Sequence, residues 1–221
     1  MVIPSRVPAL LYRIVFALVA ALGLSRLTHL DKGEFDASAF LYFTGLTNLA
    51  CLVWAIVLVA ATIGDLGRLG AHGTTNPSPR FAGGLLFSIT ITMVLYLTLL
   101  AATAAHPFTL TDDLIHIFVP LLMIGEWLFF TPKGRQRRYD PLLWLLPLFV
   151  YVTGVLVISA VGGRFNGNRY PYPIMNIDRI GWGGFGLMLL VGIFALLAMG
   201  YAIYFIDRAL GRRARLATAS V

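Results

Sequence analysis

The stretch DDLIHIFVPLLMIGEWLFF, residues 112–130, has the length and composition of a membrane-spanning helix, yet it carries an imidazole and a carboxylate. Ionisable groups inside a bilayer are costly to bury, so they mark functional or paired positions by default. His116 and Glu126 are the two candidates in this stretch. Other parts of the sequence should therefore contain residues that interact with these two side chains.

The overall composition is that of an integral membrane protein. Hydrophobic residues make up 58% of the 221 residues, charged residues make up 12%, and the mean hydropathy is +0.82. Soluble domains are far more polar. Six apolar runs of about 20 residues each suffice to cross a bilayer core roughly 30 Å thick, so we expect an all-α polytopic fold with six transmembrane helices in one domain, residues 1–221. The predicted spans are residues 8–27, 39–64, 81–105, 113–131, 141–162 and 180–206.

The distribution of basic residues predicts the orientation. Of the 17 lysines and arginines, 12 fall in the N-terminal segment, the second and fourth loops and the tail, and 5 fall in the other three loops. By the positive-inside rule, both termini are cytoplasmic. The formal charge of +7 then reflects topology and contact with anionic lipid headgroups, and no nucleic-acid partner is expected. The Ala/Arg-rich composition and the lack of a glycosylation sequon indicate a bacterial plasma membrane.

Two hydroxyls and an amide share one face of the second span. Thr44, Thr47 and Asn48 in YFTGLTN are spaced i, i+3 and i+4. A hydroxyl there can act as a nucleophile. The alternative is structural, because threonines in membrane helices bond back to the carbonyl four residues earlier and help helices to pack. Thr44 and His116 should both lie roughly 5–8 Å below the same membrane surface.

The acids before His116 have two interpretations. Asp112 and Asp113 precede it by four and three residues, so either carboxylate can orient the imidazole as a base-orienting acid does. Alternatively, they stabilise the first turn of the helix, with Thr111 as its N-cap. The sequence leaves both interpretations open.

Glu126 needs a different partner. It lies about 15 Å deeper than His116, too far for direct contact. Arg13, on the first span, should reach a similar depth from the opposite surface. We predict that Arg13 and Glu126 pair across spans one and four. The alternative is that Arg13 extends to the inner headgroups while Glu126 is neutral or bound by a tyrosine.

The fifth loop, GGRFNGNRYPYPIMNIDRIGWGGFG, is rich in groups that bind polar ligands, including arginines suited to a carboxylate. The alternative is an interfacial belt of tyrosines with solvated arginines. Gly181, Gly183 and Gly186 match the dinucleotide-binding pattern G-x-G-x-x-G. That pattern requires a preceding strand, so we interpret these glycines as helix-packing residues. The candidate substrate-binding residues are Arg164, Arg169, Tyr172, Asn176, Asp178 and Arg179.

Four motifs, taken together, resemble a known family. They are YFTGLTN in the second span, HIFVP with the glutamate after it in the fourth, the PKGR loop, and the segment YPYP-x-x-N-x-D-R-x-G. In order and spacing they are similar to the androgen-induced-gene family, which includes the androgen-dependent TFPI-regulating protein (ADTRP), and particularly to its bacterial branch. The resemblance extends from about Phe40 to the last span.

Animal members of that family are integral membrane hydrolases that use a threonine and a histidine to cleave fatty acid esters of hydroxy fatty acids. The resemblance therefore implies Thr44 as the nucleophile and His116 as the general base, with Thr47 as the alternative nucleophile. Family members usually have an acid after the Tyr-Pro pair. This chain has Asn176 there, which leaves Asp178 as the nearest carboxylate.

A membrane lipid esterase acting at the outer leaflet is thus the leading hypothesis. His116 takes the proton of Thr44, the alkoxide attacks a fatty acyl ester, and Asn48 or backbone N–H groups hold the oxyanion, with no cofactor expected. Two alternatives remain. One is a metal-dependent hydrolase, whose ligands would be His106, Asp112, Asp113 and His116. The other is a non-enzymatic lipid-binding or transport protein with a polar stripe on span three, formed by Ser88, Thr92, Tyr96 and Thr103.

Overall fold

The computed structural model describes residues 2–102 and 107–219, with only the backbone described for residues 215 and 217–219. Every regular element within these ranges is helical, so the predicted all-α class is confirmed. The only β-type pairs there are isolated bridges, Ser5 with His72 and Phe165 with Asn168.

Six long helical segments account for the architecture. Five of them, all except α4, are long and apolar enough to cross a membrane. The α4 segment is comparably long, but Asp112, Asp113 and Glu126 make it more acidic than membrane-spanning helices usually are. The segments are α1 (Arg6–Leu27), α2 (Phe43–Leu69), α3 (Pro79–Leu100, ending in a π-turn), α4 (residues 110–129), α5 (Asp140–Ala160) and α6 (Ile177–Ala219).

Helices α1 to α4 form the core of the molecule. α1 lies along α2 and also contacts α4, and α3 packs against both α2 and α4. Large apolar side chains such as Phe16, Leu58, Phe87 and Met123 are completely buried between them. Such burial of apolar surface with close packing stabilises the four-helix arrangement.

Helices α5 and α6 contact this core mainly at two ends. At the end beside the 130–139 loop, which we call the basic end, the Arg80 guanidinium bonds the Asp140 carboxylate and the rings of Phe87 and Trp144 lie 5.9 Å apart. At the opposite end, the 161–176 loop folds into its own apolar cluster with α5 and α6, built from Val155, Phe165, Tyr170, Met175, Ile177 and Phe185. A gap between helices is left between these two attachments.

Helix α2 begins later than the sequence predicts. The Asp36 carboxylate accepts a bond from the Ser38 N–H at 2.8 Å and starts a separate 3₁₀ turn, Ala37–Leu41, so that α2 proper begins at Phe43. Gly45 allows the two pieces to touch, because a Cβ there would lie 2.1 Å from the Ala39 carbonyl oxygen. Thr44 is therefore in the first turn of α2 rather than five residues inside it.

The packing role predicted for the glycines of α6 is wrong. Apart from the adjoining backbone of α6 itself, no atom of the described residues lies within 4 Å of where a Cβ would be at Gly181, Gly183 or Gly186. Gly181 has a positive φ of 68° and breaks the regular helical path of α6. Glycine is favoured there because other residues rarely adopt this conformation.

Candidate functional site

A cavity of about 550 Å³ fills the gap that separates α5 and α6 from the core. Leucine, isoleucine and methionine side chains make up most of its wall, with α3, α5 and α6 each contributing several. Among the described lining residues, hydroxyls are the only oxygen- or nitrogen-bearing side-chain groups. They come from Thr44, Thr92, Tyr151 and Tyr172. This is the composition of a pocket for a long apolar ligand with a few polar contacts.

Thr44 shares the cavity wall with a pair of tyrosines. The Tyr172 phenol comes from the fifth loop, and its ring centroid lies 6.5 Å from that of Tyr151. The Tyr151 hydroxyl donates to the Leu41 carbonyl oxygen at 3.2 Å. Burial raises the pKa of Tyr172, so this phenol keeps its proton and can donate a hydrogen bond. The polar end of the cavity thus combines one aliphatic hydroxyl with two phenols.

Thr47 faces another helix instead. Its hydroxyl is 3.0 Å from that of Thr92 on α3, and it also bonds back to the Phe43 carbonyl oxygen at 2.9 Å. This matches the structural interpretation of membrane threonines, in which hydroxyls tie neighbouring helices together. Thr47 does not line the cavity, whereas Thr44 does.

Asn48 connects α2 to α4 by bonding a backbone carbonyl that a proline leaves without its helical donor. Leu114–Phe118 forms a π-turn, in which the Val119 N–H bonds the Leu114 carbonyl oxygen five residues earlier. In this register residue 120 would donate to the Ile115 oxygen, but Pro120 has no N–H. The Asn48 amide donates to that oxygen instead, at 3.1 Å, and to the Thr44 oxygen at 2.9 Å. Proline, π-turn and asparagine therefore belong to one helix–helix contact.

His116 sits in this π-turn and is buried. Its ring stacks on Tyr96 of α3, with centroids 4.0 Å apart and planes 6° from parallel. Its Nδ1 lies 3.2 Å from the Asp112 carbonyl oxygen. Because a carbonyl oxygen can only accept, this contact holds the proton on Nδ1 of the neutral ring and leaves Nε2 as the basic nitrogen.

The Asp112 carboxylate is mainly a helix cap. It accepts bonds from the Thr109 N–H at 3.2 Å and the Thr109 hydroxyl at 2.6 Å, and Thr109 in turn caps the Asp112 N–H. The N-cap is thus Thr109, and the expectation of Thr111 is wrong. Asp112 Oδ1 lies 3.9 Å from His116 Nδ1, and Asp113 is half-buried nearby. The capping box explains the order of these residues without requiring a catalytic acid.

No hydrogen bond joins Thr44 to His116, both of which belong to the described part of the chain. Asn48 Nδ2 lies 2.9 Å from the Thr44 oxygen and 3.1 Å from the Ile115 oxygen, so these two backbone oxygens are at most about 6 Å apart. The common membrane depth of Thr44 and His116 stays a prediction. His116 does not line the cavity.

Of the six predicted substrate-binding residues in the fifth loop, Tyr172 alone lines the cavity. Arg169 and Asp178 form an exposed ion pair at 2.8 Å. The Asn176 side chain accepts the Arg179 N–H at 3.2 Å, at the start of α6. The side chains of Arg164 and Arg179 are exposed. These polar groups lie outside the cavity and stabilise the loop locally.

The predicted pair between Arg13 and Glu126 is present. Arg13 Nη2 lies 2.6 Å from Glu126 Oε1, Arg13 Nε lies 3.1 Å from Oε2, and both side chains are 0% exposed. The Thr62 hydroxyl and the Thr75 carbonyl oxygen accept the remaining guanidinium bonds. The ion pair joins α1 to α4 far from the cavity, so its part is structural.

The polar stripe on α3 serves helix packing at two of its described positions. Thr92 bonds Thr47 of α2 and Tyr96 stacks on His116 of α4, whereas Ser88 bonds back within its own helix, and Thr92 also lines the cavity. Thr103 and His106 lie outside the described residues. Within residues 2–102 and 107–219, no group of three or more histidine, cysteine or acidic side chains is placed to hold a metal ion.

Sequence reasoning missed Tyr151 and the contribution of α6 to the cavity. A tyrosine within the apolar run of span five is a weak signal, because tyrosines are common near membrane surfaces. The lining residues Met188, Ile193 and Met199 of α6 carry no signal at all, since they look like any lipid-facing residues. No family model, curated protein or solved structure matches the chain.

Proposed function

We propose that this protein is a lipid ester hydrolase of a bacterial plasma membrane, with six spans and both termini in the cytoplasm. In this proposal a fatty acyl chain occupies the cavity between α3, α5 and α6, and Thr44 attacks its ester carbonyl near the outer leaflet. The observation that carries it is the position of Thr44, which puts an aliphatic hydroxyl at the polar end of an otherwise apolar cavity. The family resemblance selects the same threonine.

The chemistry follows from the groups around Thr44. His116 Nε2 takes the hydroxyl proton through a bridging water, and Thr44 Oγ1 bonds to the carbonyl carbon. The ester C–O bond then breaks, and the leaving alcohol receives that proton. Water attacks the acyl-threonine in the second step, which releases the fatty acid and restores the hydroxyl. His116 gives back in each step the proton that it takes up in that step.

The first turn of α2 supports the charge that develops in this reaction. Its N–H groups have no partners within the helix, and the helix dipole is positive at this end. The protonated Tyr172 phenol, which lines the same cavity, adds a donor. Donors already fixed around the position of an oxyanion stabilise the tetrahedral intermediate more than the ester. Asn48 is less suited to this part, because its amide already bonds the Thr44 and Ile115 carbonyl oxygens.

The test is turnover of a panel of fatty acyl esters by the purified protein in micelles, with labelling by a fluorophosphonate. Thr44→Ala should lose labelling and lower kcat by about a thousandfold, and His116→Ala should lower kcat by about a hundredfold or more. Thr98→Ala is the matched control, since Thr98 is exposed and bonds only to the Val94 oxygen of its own helix. Full activity of Thr44→Ala, with loss in Thr47→Ala, would contradict the assignment.

A second candidate is a lipid-binding protein without catalysis. The observation that favours it is the engagement of His116, whose ring is stacked on Tyr96 and bonded to the Asp112 carbonyl oxygen. A fluorescent fatty acid ester that saturates the wild type without turnover, and that binds Thr44→Ala equally well, would select this candidate over hydrolysis.

A further inference from the structure

A second pocket, of about 440 Å³, lies at the basic end of the molecule between the 130–139 loop and α6. It shares no lining residue with the cavity that contains Thr44. Its wall is formed by Gly134, Gln136, Arg208, Arg212 and Leu216. Two of these five residues are arginines, so the pocket differs in chemistry from the apolar cavity.

Both arginine side chains line the same pocket. Arg208 and Arg212 are spaced i, i+4 and therefore share one face of α6. Arg208 donates one bond to the Tyr204 hydroxyl at 2.9 Å, and Arg212 makes no hydrogen bond or ion pair with any described residue. Arginine donors arranged in this way suit the oxygens of a phosphate group.

The nearest acid does not neutralise these arginines. Asp207 is completely buried, and its carboxylate accepts the Gln136 N–H at 3.1 Å instead of forming an ion pair with either arginine. The backbone N–H groups of Gly134 and Arg135 and the charge of Lys133 also interact with it. The Asp207 contact thus shapes the loop that walls the pocket, while both arginine charges stay available to a ligand.

Gln136 fixes the loop side of the pocket. Its Nε2 donates to the Pro79 carbonyl oxygen at 2.8 Å, which ties the loop to α3. The residue is 6% exposed, and its Oε1 is buried, so the amide belongs to the pocket wall and the two arginines are the groups that a ligand can reach. The complementary ligand carries a phosphate.

The pocket lies where lipid headgroups are expected. The apolar part of α6 ends at Ile206, just before the pocket, and the apolar part of α5 begins just after the loop that forms the other wall. Beyond the break at Gly181, α6 continues for 38 residues, about 57 Å, which is well beyond a bilayer core of roughly 30 Å. The exposed side chain of Leu216 gives the pocket an apolar edge.

We propose that this pocket binds the headgroup of an anionic membrane phospholipid. Arg208 and Arg212 hold the phosphate oxygens, and Leu216 contacts the lipid at the apolar edge of the pocket. Phosphatidylglycerol, with a net negative charge, fits two arginines that have no acidic partner among the described residues better than the zwitterionic phosphatidylethanolamine or phosphatidylcholine. The assignment is independent of whether the cavity around Thr44 hydrolyses esters.

The experiment measures the binding of these three lipids, with identical acyl chains, to the full-length protein in micelles by native mass spectrometry. We expect phosphatidylglycerol to bind about tenfold more tightly than phosphatidylethanolamine or phosphatidylcholine, because its net negative charge is attracted by the two arginines. The double variant R208Q/R212Q should weaken phosphatidylglycerol binding by about tenfold or more. Equal affinity of the wild type for all three lipids would overturn the proposal.

The matched control is R135Q/R138Q, which removes the same charge from exposed positions on the same loop that do not line the pocket. It should change affinity by less than about twofold. An equal loss in both double variants would mean a diffuse charge effect and would contradict a built site. All variants should keep the wild-type unfolding midpoint, because these four side chains are exposed.

A final arm separates a lipid from a soluble ligand. Glycerophosphoglycerol carries the same phosphodiester and hydroxyls without acyl chains. It should fail to displace phosphatidylglycerol when both are present at the same concentration. Displacement under these conditions would assign the pocket to a water-soluble phosphate ester and overturn the membrane-lipid proposal.

Discussion

Replacing Glu126 by glutamine should destabilise the protein by about 3–5 kcal/mol, the usual effect of removing one partner from a buried ion pair. The carboxylate accepts from Arg13 Nε and Nη2 through both of its oxygens, at 2.6 to 3.3 Å, and neither side chain is exposed. Glutamine has almost the same shape as glutamate, so a change in packing contributes little. The loss is therefore electrostatic.

The local contacts account for this magnitude. In Glu126→Gln one accepting oxygen becomes an NH₂ group that faces the donors of Arg13. At least one charge-assisted hydrogen bond worth about 1.5–3 kcal/mol disappears, and the guanidinium is left buried with an uncompensated charge. The Thr62 hydroxyl and the Thr75 carbonyl oxygen remain as its neutral acceptors. They satisfy hydrogen bonds but do not balance the charge.

The assay is the free energy of unfolding in mixed micelles for Glu126→Gln, Arg13→Gln and the double variant. In the double variant we expect about 2 kcal/mol less destabilisation than the sum of the single changes, because the two groups act together. Asp178→Asn is the matched control: it breaks the Arg169 ion pair at 2.8 Å, but in an exposed position, and should cost less than about 1 kcal/mol. Equal losses at the two sites, or strict additivity of Arg13 and Glu126, would refute the reasoning.

Three further changes test other parts of the structure. Gly45→Ala should destabilise by about 1–3 kcal/mol, because its Cβ would lie 2.1 Å from the Ala39 oxygen, whereas Gly64→Ala, with nothing within 4 Å, should be neutral or slightly stabilising in thermal unfolding. Burial lowers the pKa of Lys133 from 10.5 to about 8, so the folded state binds fewer protons than the unfolded chain between these values. The free energy of unfolding of wild type relative to Lys133→Met should therefore rise as the pH increases from about 8 to 10.5, and a flat difference would contradict the buried amine. Asp207→Asn should speed amide hydrogen exchange of the 134–136 loop, since it removes the charged acceptor of the Gln136 N–H, and unchanged protection would show that this contact does not hold the loop.

Features that depend on burying charge or apolar surface could be predicted from the sequence. Long apolar runs must be helical in a bilayer, so the all-α class and the approximate positions of the helices follow from composition alone. The partnership of Arg13 with Glu126 follows from the cost of leaving either charge alone in an apolar span. These inferences need no knowledge of the tertiary contacts beyond the order of the spans.

Details that depend on tertiary contacts could not be predicted. The start of α2 depends on the Asp36 cap and on Gly45 touching Ala39. The position of His116 depends on a π-turn. Its Ile115 carbonyl oxygen accepts a hydrogen bond from Asn48 on another helix. Hydrophobic periodicity records which residues are apolar, but it does not record the hydrogen-bond register of a turn.

The cavity is the clearest case of this kind. It exists because α5 and α6 are attached to the core near their ends and diverge between them. The residues that face the gap are leucines, isoleucines and methionines, as are those that face lipid. Thr44 could be singled out from its motif, but the phenols of Tyr151 and Tyr172 are brought to it by the fold.

The sequence separation between Arg13 and Glu126 has a consequence for biogenesis. The arginine is synthesised 113 residues before its partner, an interval on the order of ten seconds on a translating ribosome. During that time the first helix would have to leave the translocon with an unpaired cation, a cost that reaches about 2.5–3.5 kcal/mol at the centre of a membrane helix and is lower at Arg13, about 10 Å from the start of α1. The nascent helix can reduce this penalty by staying beside the insertion machinery until the fourth helix arrives. Early insertion and late pairing would then make the arrival of α4 the checkpoint for assembly.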